Sequence, residues 1–474
     1  MARMRILESL VGPCWSAPAW SVGAGAVLRR LATAVVMVVA VVAVSLATGP
    51  AARAASLIRD AEIERTIRAY AAPLLRSAGI APESITIRLL NDPTVNAFVT
   101  RGRRMFFHTG LVMKTERAEE LIGVIAHETG HIAGGHLVRM GENAEDYSIA
   151  SMLTTLLGAA AGALAGRPDV GAAVMLGGQG AIQRGFLAYN RTEEASADAF
   201  ALKALDREGV SAEGLRDFLD TLQDQEALTT AYRDPYLLTH PLTRDRLSAV
   251  EAHVERSPTT GHGVSPEWQD MFDRMRAKLF AFLRPPQETL TRYKDQTGVA
   301  ADYARAIAYY RALDLDRALD LAEQLIATEP DNPFFEELAG QMLFERSRVS
   351  EALPHYERAV ALAPEEPLLR IALSHAQLES GDPALLKPAE DNLRNALARD
   401  DSNALGWQLL AQVYGRTDQS AMADYAMAET ALRSGDYDRA LFHVGRAQDQ
   451  VPRGSPTWLR LQDIESEARR LRKE

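Results

Sequence analysis

"VIAHETGHIAGGH" spans residues 124–136 and puts three histidines and a glutamate within thirteen positions. On a helix of 3.6 residues per turn, His127 and His131 lie on one face, roughly 40° apart in azimuth and one turn apart in height. Both imidazoles can then reach one tetrahedral zinc ion, and Glu128 beside that face can take a proton from an attacking water. The surrounding residues Leu121, Ile122, Val124, Ile125 and Ile132 are apolar, as in a buried helix rather than one with two exposed histidines. The stretch from about Arg117 to His136 therefore reads as the helix around which its domain is built.

A tetrahedral site needs a third protein ligand. The extended H-E-x-x-H-x-x-G-x-x-H pattern demands a histidine at 137; Gly134 fits it, but position 137 is Leu. His136 is one residue short, a slip that turns its ring away from the ion. A carboxylate from a second helix is the alternative, and "YNRTEEASADAFALKAL" (189–205) supplies one. Asn190 or Thr192 can cap that helix, and acidic residues suit its first turn. Glu194 and Asp198, four apart, share a face, so one can bind zinc while the other accepts a hydrogen bond from a ligand histidine. Glu194 is the favoured ligand, Asp198 its support, and Glu193 reads as a solvated helix-start carboxylate. Further on, "YLLTHPLTRDRLSAV" (236–250) holds His240 and Arg246, either of which near the metal would stabilise an oxyanion. On sequence alone, His240 fits an ordinary loop residue better.

Bulk composition is that of a globular protein. The chain has 474 residues, enough for two or three domains, with 47% apolar and 24% charged residues. A net charge of −11 argues against a nucleic-acid surface. Cys14 is the only cysteine, which excludes an intramolecular disulfide and a thiolate zinc site. Arg29 and Arg30 precede the uncharged run "LATAVVMVVAVVAVSLA" (31–47), and Ala52 and Ala54 form a small-x-small cleavage pattern. Residues 1–54 therefore read as a secretory signal, although the same run is nearly long enough for an uncleaved anchor. Five arginines and one glutamate leave with it, so the remainder carries a charge near −15.

Three blocks follow. Residues 55–255 mix helical spacing (Ile58, Ile63, Ile67, Leu74) with short strand-like runs at 84–90 and 95–100 and a third beginning at Arg104, predicting an α+β domain around the zinc helix, mostly helical with a small sheet. Residues 256–300 form a connector with one helix near 267–283 and a breaker at Pro285 and Pro286. From 301 to 474 the pattern is all helical and repeats: Ala318 over Ala352 and Pro330 over Pro364 are both 34 apart, the tetratricopeptide period. A third copy is lengthened, with Asp401 at the proline position, and a fourth carries Gly435, Tyr437 and Ala440. Such an all-α solenoid implies a partner surface. Between the two ligand helices, 148–166 and 170–183 are both uncharged. Richness in Ala and Gly favours a hairpin over the active site or at a membrane surface rather than a span.

"HETGHIAGGH", "NRTEEASADAFA" and "THPLTRDR" together resemble the HtpX-like and prenyl-protease-like family of zinc endopeptidases. The resemblance implies one zinc per chain held by His127, His131 and Glu194, with Asp198 in support and His240 and Arg246 beside the ion. It also implies that Asn96, Ala97 and Phe98 begin an edge strand to which substrate adds as a further strand. The basic "RGRR" after it departs from the family's more apolar turn. Periplasmic members that carry such repeats suggest the remaining expectations. These are cleavage of misfolded or unassembled outer-membrane proteins, support of their assembly, and contact with the barrel-assembly machinery through the repeats. His240 would occupy the fourth zinc position at rest. Two rivals are a chaperone or scaffold with vestigial proteolysis, and a membrane-embedded protease of membrane proteins.

Overall fold

The structure, a computed structural model, describes residues 56–100, 102–136, 190–228, 236 and 240–473. The expected signal (1–54) and the apolar stretches 148–166 and 170–183 lie outside the described residues. Among those described, no helix is long and apolar enough to cross a membrane.

A four-stranded sheet carries β1 (Ser56–Ile58), β2 (Thr86–Asn91), β3 (Ala97–Thr100) and β4 (Arg104–His108) in the order β1-β2-β4-β3. β2 and β4 are parallel, while β1 and β3 join antiparallel as the two edges. Alternation sends Ile87 and Leu89, Met105 and Phe107, and Ala97 and Val99 to one buried face. Helix α1 (Ala61–Ser77) covers it with Ile63, Ile67, Tyr70 and Leu74, each at most 2% exposed. Ile58, which shares their helical spacing, sits instead in β1. The Asp60 side chain accepts from Ile63 N and starts the helix three residues later. The β3–β4 turn needs left-handed backbone at Gly102 (φ 84°) and Arg103 (φ 59°), which explains a glycine inside the basic "RGRR".

After the short α2 (Thr109–Lys114) comes α3 (Ala118–Gly134), whose residues through His131 are all buried. It packs between α4 (190–208) and α5 (Glu213–Leu228). Gly123 and Gly130 permit this: an added Cβ would lie 2.9 Å from Leu215 at the first and 2.7 Å from the Ala197 carbonyl at the second. Helix α6 (Arg244–Val254) closes the domain, its Thr243 side chain accepting from Arg246 N.

Helix α7 (Pro266–Leu283), in the connector, is a wall shared by two cores. Phe272, Met275 and Leu279 enter the first core, and Ala277 and Ala281 the second. Beyond the short α8 (Pro286–Arg292), antiparallel helix pairs stack. These are α9 (Val299–Arg311) with α10 (Leu315–Thr328), α11 (Pro333–Phe344) with α12 (Val349–Leu362), and α13 (Pro367–Glu379) with α14 (Leu386–Arg399). Then follow α15 (Ala404–Arg416), α16 (Ser420–Arg433), α17 (Tyr437–Gln448) and α18 (Pro456–Leu471). Ala318, Ala352 and Ala440 are fully buried at helix contacts, as close stacking of small residues requires. The turns repeat as well: Leu313, Ser347 and Gly381, each 34 apart, all adopt positive φ. A 3₁₀ turn at Pro383–Leu385 accounts for the lengthened third copy.

The repeats touch the N-terminal half through polar contacts. Asp400 lies 2.5 Å from Arg59 and 3.2 Å from Arg88, whose guanidinium also donates to Ser402 Oγ. The Lys278 ammonium sits 2.8 Å from Asp60, and the Tyr303 hydroxyl donates to Glu62.

Candidate metal centre

The helical period carries His127 and His131 to the same side of α3, where their Nε2 atoms are 3.1 Å apart. Opposite them, α4 presents Glu194, with Oε2 3.3 Å from His127 Nε2 and Oε1 3.3 Å from His131 Nε2. His240 closes the group, its Nδ1 3.1 Å from Glu194 Oε1 and 3.3 Å from His127 Nε2. One ligand-type atom from each of the four residues lies within 4.8 Å of all the others, and all four residues are buried. What brings the two helices so close is the contact of Gly130 with Ala197, each one residue before the second member of its helix's functional pair.

Around this cluster the remaining nitrogens are engaged. His127 Nδ1 lies 2.8 Å from Asp198 Oδ1, so Asp198 supports a ring rather than joining the cluster. Arg246 donates from Nε and Nη2 to Asp198 at 2.6 and 2.9 Å, from Nη1 to the Pro241 carbonyl, and stands 2.8 Å from Glu194 Oε2. The guanidinium that the sequence offers to an oxyanion is thus committed to two buried carboxylates, which out-compete a neutral carbonyl for it. Asn190 and Thr192 already belong to α4, so its cap lies outside the described residues.

Electrostatics follow from this packing. Burial pushes the Glu194 carboxyl up, but hydrogen bonds to His127, His131 and His240 hold it well below the carboxylate range. Asp198, likewise opposed by burial, is held down to about 2 by His127 and Arg246. His127 is lowered by burial and raised further by its two carboxylate partners, to about 9. Burial depresses His131 and His240. The cluster therefore favours positive charge at its centre.

Glu128 is fully buried, and among the described residues neither carboxylate oxygen has a hydrogen bond; His240 Nε2 is 3.5 Å from its Oε1. Burial raises its pKa. An orphaned carboxylate costs several kcal/mol unless a charge or a polar reactant meets it. Three imidazoles and a carboxylate converging beside it fit a borderline-soft divalent cation with nitrogen and oxygen ligands.

At the other proposed element, β3 has a strand neighbour on one side only among the described residues, and Ala97 and Phe98 lie in that strand. Asn96 precedes it, its carbonyl accepting from His108 N, and Phe98 stacks on Phe106. Some residues escaped the sequence reading. His136 lies outside the ligand cluster but is buried, with Nδ1 2.9 Å from His131 Nδ1. Glu193 is not a solvated carboxylate but pairs with His136. Tyr236 stacks on His240, with ring centroids 4.6 Å apart. The "GGH" ending the motif helix was the one available signal for the first of these.

Comparison with known proteins agrees with the geometry. Residues 58–254 match the family described as Peptidase family M48. The β-barrel assembly-enhancing protease of Escherichia coli (strain K12) is 27% identical over 414 residues, covering 85% of this chain and 82% of the relative. Its Yersinia pestis namesake is 26% identical over 417 residues, with the same coverage. Protease HtpX of Cronobacter sakazakii is 40% identical over 83 residues, which is 17% of this chain and 27% of the relative. Since the matched stretch contains every residue of the cluster, its orphaned carboxylate and its supporting charges, residues 58–254 form a domain similar to peptidase family M48, and the chain is a metallopeptidase.

Proposed function

We propose that the chain is a zinc-dependent endopeptidase of the periplasm, acting in quality control and assembly of outer-membrane β-barrel proteins. The observation that carries the chemistry is Glu128, buried and without a hydrogen bond among the described residues, next to His127, His131 and Glu194. These three would hold zinc, which when bound supplies a Lewis acid that polarises the scissile carbonyl and acidifies a water. Glu128 removes the proton from that water and returns it to the leaving amine. Asp198 fixes the ring of His127, and Arg246 keeps Asp198 and Glu194 ionised and in place. His240, stacked on Tyr236 and 3.1 Å from Glu194, would also hold the metal at rest and would give way when substrate enters. Substrate adds to the open side of β3 along Asn96, Ala97 and Phe98, an arrangement suited to unpaired strands of an unassembled barrel.

Names of the relatives support the barrel-assembly role, and their alignment runs through the repeats. The repeats would engage the barrel-assembly machinery, with residues 1–54 exporting the chain and 301–474 forming the partner-binding part. The test is cleavage of an unfolded outer-membrane barrel protein by wild type and by Glu128→Gln. Loss of about 10²–10⁴ in rate with zinc retained is expected. Equal cleavage by both would remove Glu128 as the base. Lost cleavage with full assembly support in cells would favour the scaffold.

A further inference from the structure

Helix α3 ends at Gly134, and Gly135 takes φ 65°, the left-handed conformation that turns the chain back on the helix. His136 is thereby laid across the last turn. A Cβ at position 134 would fall 2.2 Å from His136 Nε2, so one glycine makes the turn and the other makes room for the ring. The ring is 4% exposed. Its Nδ1 lies 2.9 Å from His131 Nδ1, and its Nε2 lies 2.7 Å from Glu193 Oε2.

We propose that His136 and Glu193 are positioning residues that set the ring orientation and tautomer of His131 for metal binding. The inference rests on the reading that His131 is a ligand through Nε2, the nitrogen that faces Glu194 and His127. To ligate there, a neutral His131 keeps the Nε2 lone pair and carries its proton on Nδ1. Two ring nitrogens 2.9 Å apart form a hydrogen bond only if one is protonated and the other is not. His131 Nδ1 therefore donates to His136 Nδ1, which leaves the proton of His136 on Nε2, 2.7 Å from the Glu193 carboxylate. Every link dictates the next, and the chain ends on a charge. Adjacent residues of α4 thus serve two layers: Glu194 faces the cluster and Glu193 the ring behind it. The other ligand ring, His127, is held separately by Asp198 and Arg246. Groups in this position are worth about 10–100-fold in metal affinity.

The test uses the whole protein stripped of metal, titrated with zinc against a competing chelator and with cobalt for its visible spectrum. His136→Leu removes the acceptor and keeps bulk; His136→Asn offers an amide oxygen near the place of Nδ1. Gly134→Ala displaces the ring without altering it. Zinc affinity should fall about 10–100-fold in His136→Leu and Gly134→Ala, with a changed cobalt band, and stay within about threefold of wild type in His136→Asn. Wild-type affinity in either of the first two, or an Asn variant as weak as the Leu variant, overturns the relay. Should His136→Leu not fold, as judged by metal-free melting, Gly134→Ala decides. If wild type takes up no ion, or His127→Ala binds as tightly as wild type, the metal-site reading itself has failed and the relay falls with it.

Discussion

Gly130→Ala places one methyl group between the two helices that carry the cluster, and its effect can be worked out from distances. The new Cβ would lie 2.7 Å from the Ala197 carbonyl oxygen and 2.9 Å from its Cα. Carbon atoms rest about 3.5–4.0 Å apart, so α3 and α4 must separate by at least about 0.5 Å. Glu194 then moves away from His127 and His131 by a similar amount, beyond the roughly 0.2 Å that metal–ligand distances tolerate. Metal affinity should drop at least about tenfold. Stability without metal should change less, because overpacking costs about 1–3 kcal/mol while replacing a helix-interior glycine returns about 1 kcal/mol. Zinc competition with a chelator measures the first quantity, and metal-free urea melts the second. Gly123→Ala is the control: its methyl would press on Leu215 of α5 at 2.9 Å, on the same helix but away from α4. It should destabilise and still bind zinc within about threefold of wild type. Undiminished affinity in Gly130→Ala, or equal loss in both variants, would refute the idea that this crossing sets the ligand distance.

Arg246→Met leaves Asp198 and Glu194 buried without their guanidinium, so metal-free stability should fall by about 3–5 kcal/mol, and by less with zinc present; equal losses in melts with and without zinc would count against it. His240→Ala should raise basal cleavage, about tenfold if the ring covers the fourth position nine-tenths of the time; unchanged or slower cleavage by a folded variant argues against occlusion. Glu337 in α11 is pushed up to about 7 by burial, against the pull of Lys278 and with Asp60, Glu62 and Glu366 adding to the rise. The folded chain holds that proton more tightly than the unfolded one, so the contribution is complete below the ordinary value of 4.5 and is lost as pH rises through about 7. Glu337→Gln should flatten the decline in stability between pH 5 and 8, which urea melts across that range would reveal; parallel profiles would exclude this carboxyl as its source.

Local periodicity was open to sequence analysis wherever it is set by the helix itself. His127 with His131, and Glu194 with Asp198, share faces because four residues make about one turn in any helix, whatever packs against it. Spacing of 34 residues likewise announced the repeats, and Ala318 and Ala352 are buried at the contacts it implied. Even so, the helix-like spacing of Ile58 failed, since the cap at Asp60 makes it a strand residue.

What the tertiary structure alone decided is how those faces meet. His127 finds Asp198 71 residues away and His240 113 residues away. No period spans such separations; only the helix crossing at Gly130 and the wrap of the later segment bring them together. The same packing assigned Glu194 to the cluster and Asp198 to a ring nitrogen, tied Arg246 to carboxylates, and folded His136 behind His131. The sequence by itself determined which side chains can act together on one element. Burial and close approach between elements determined which of them do.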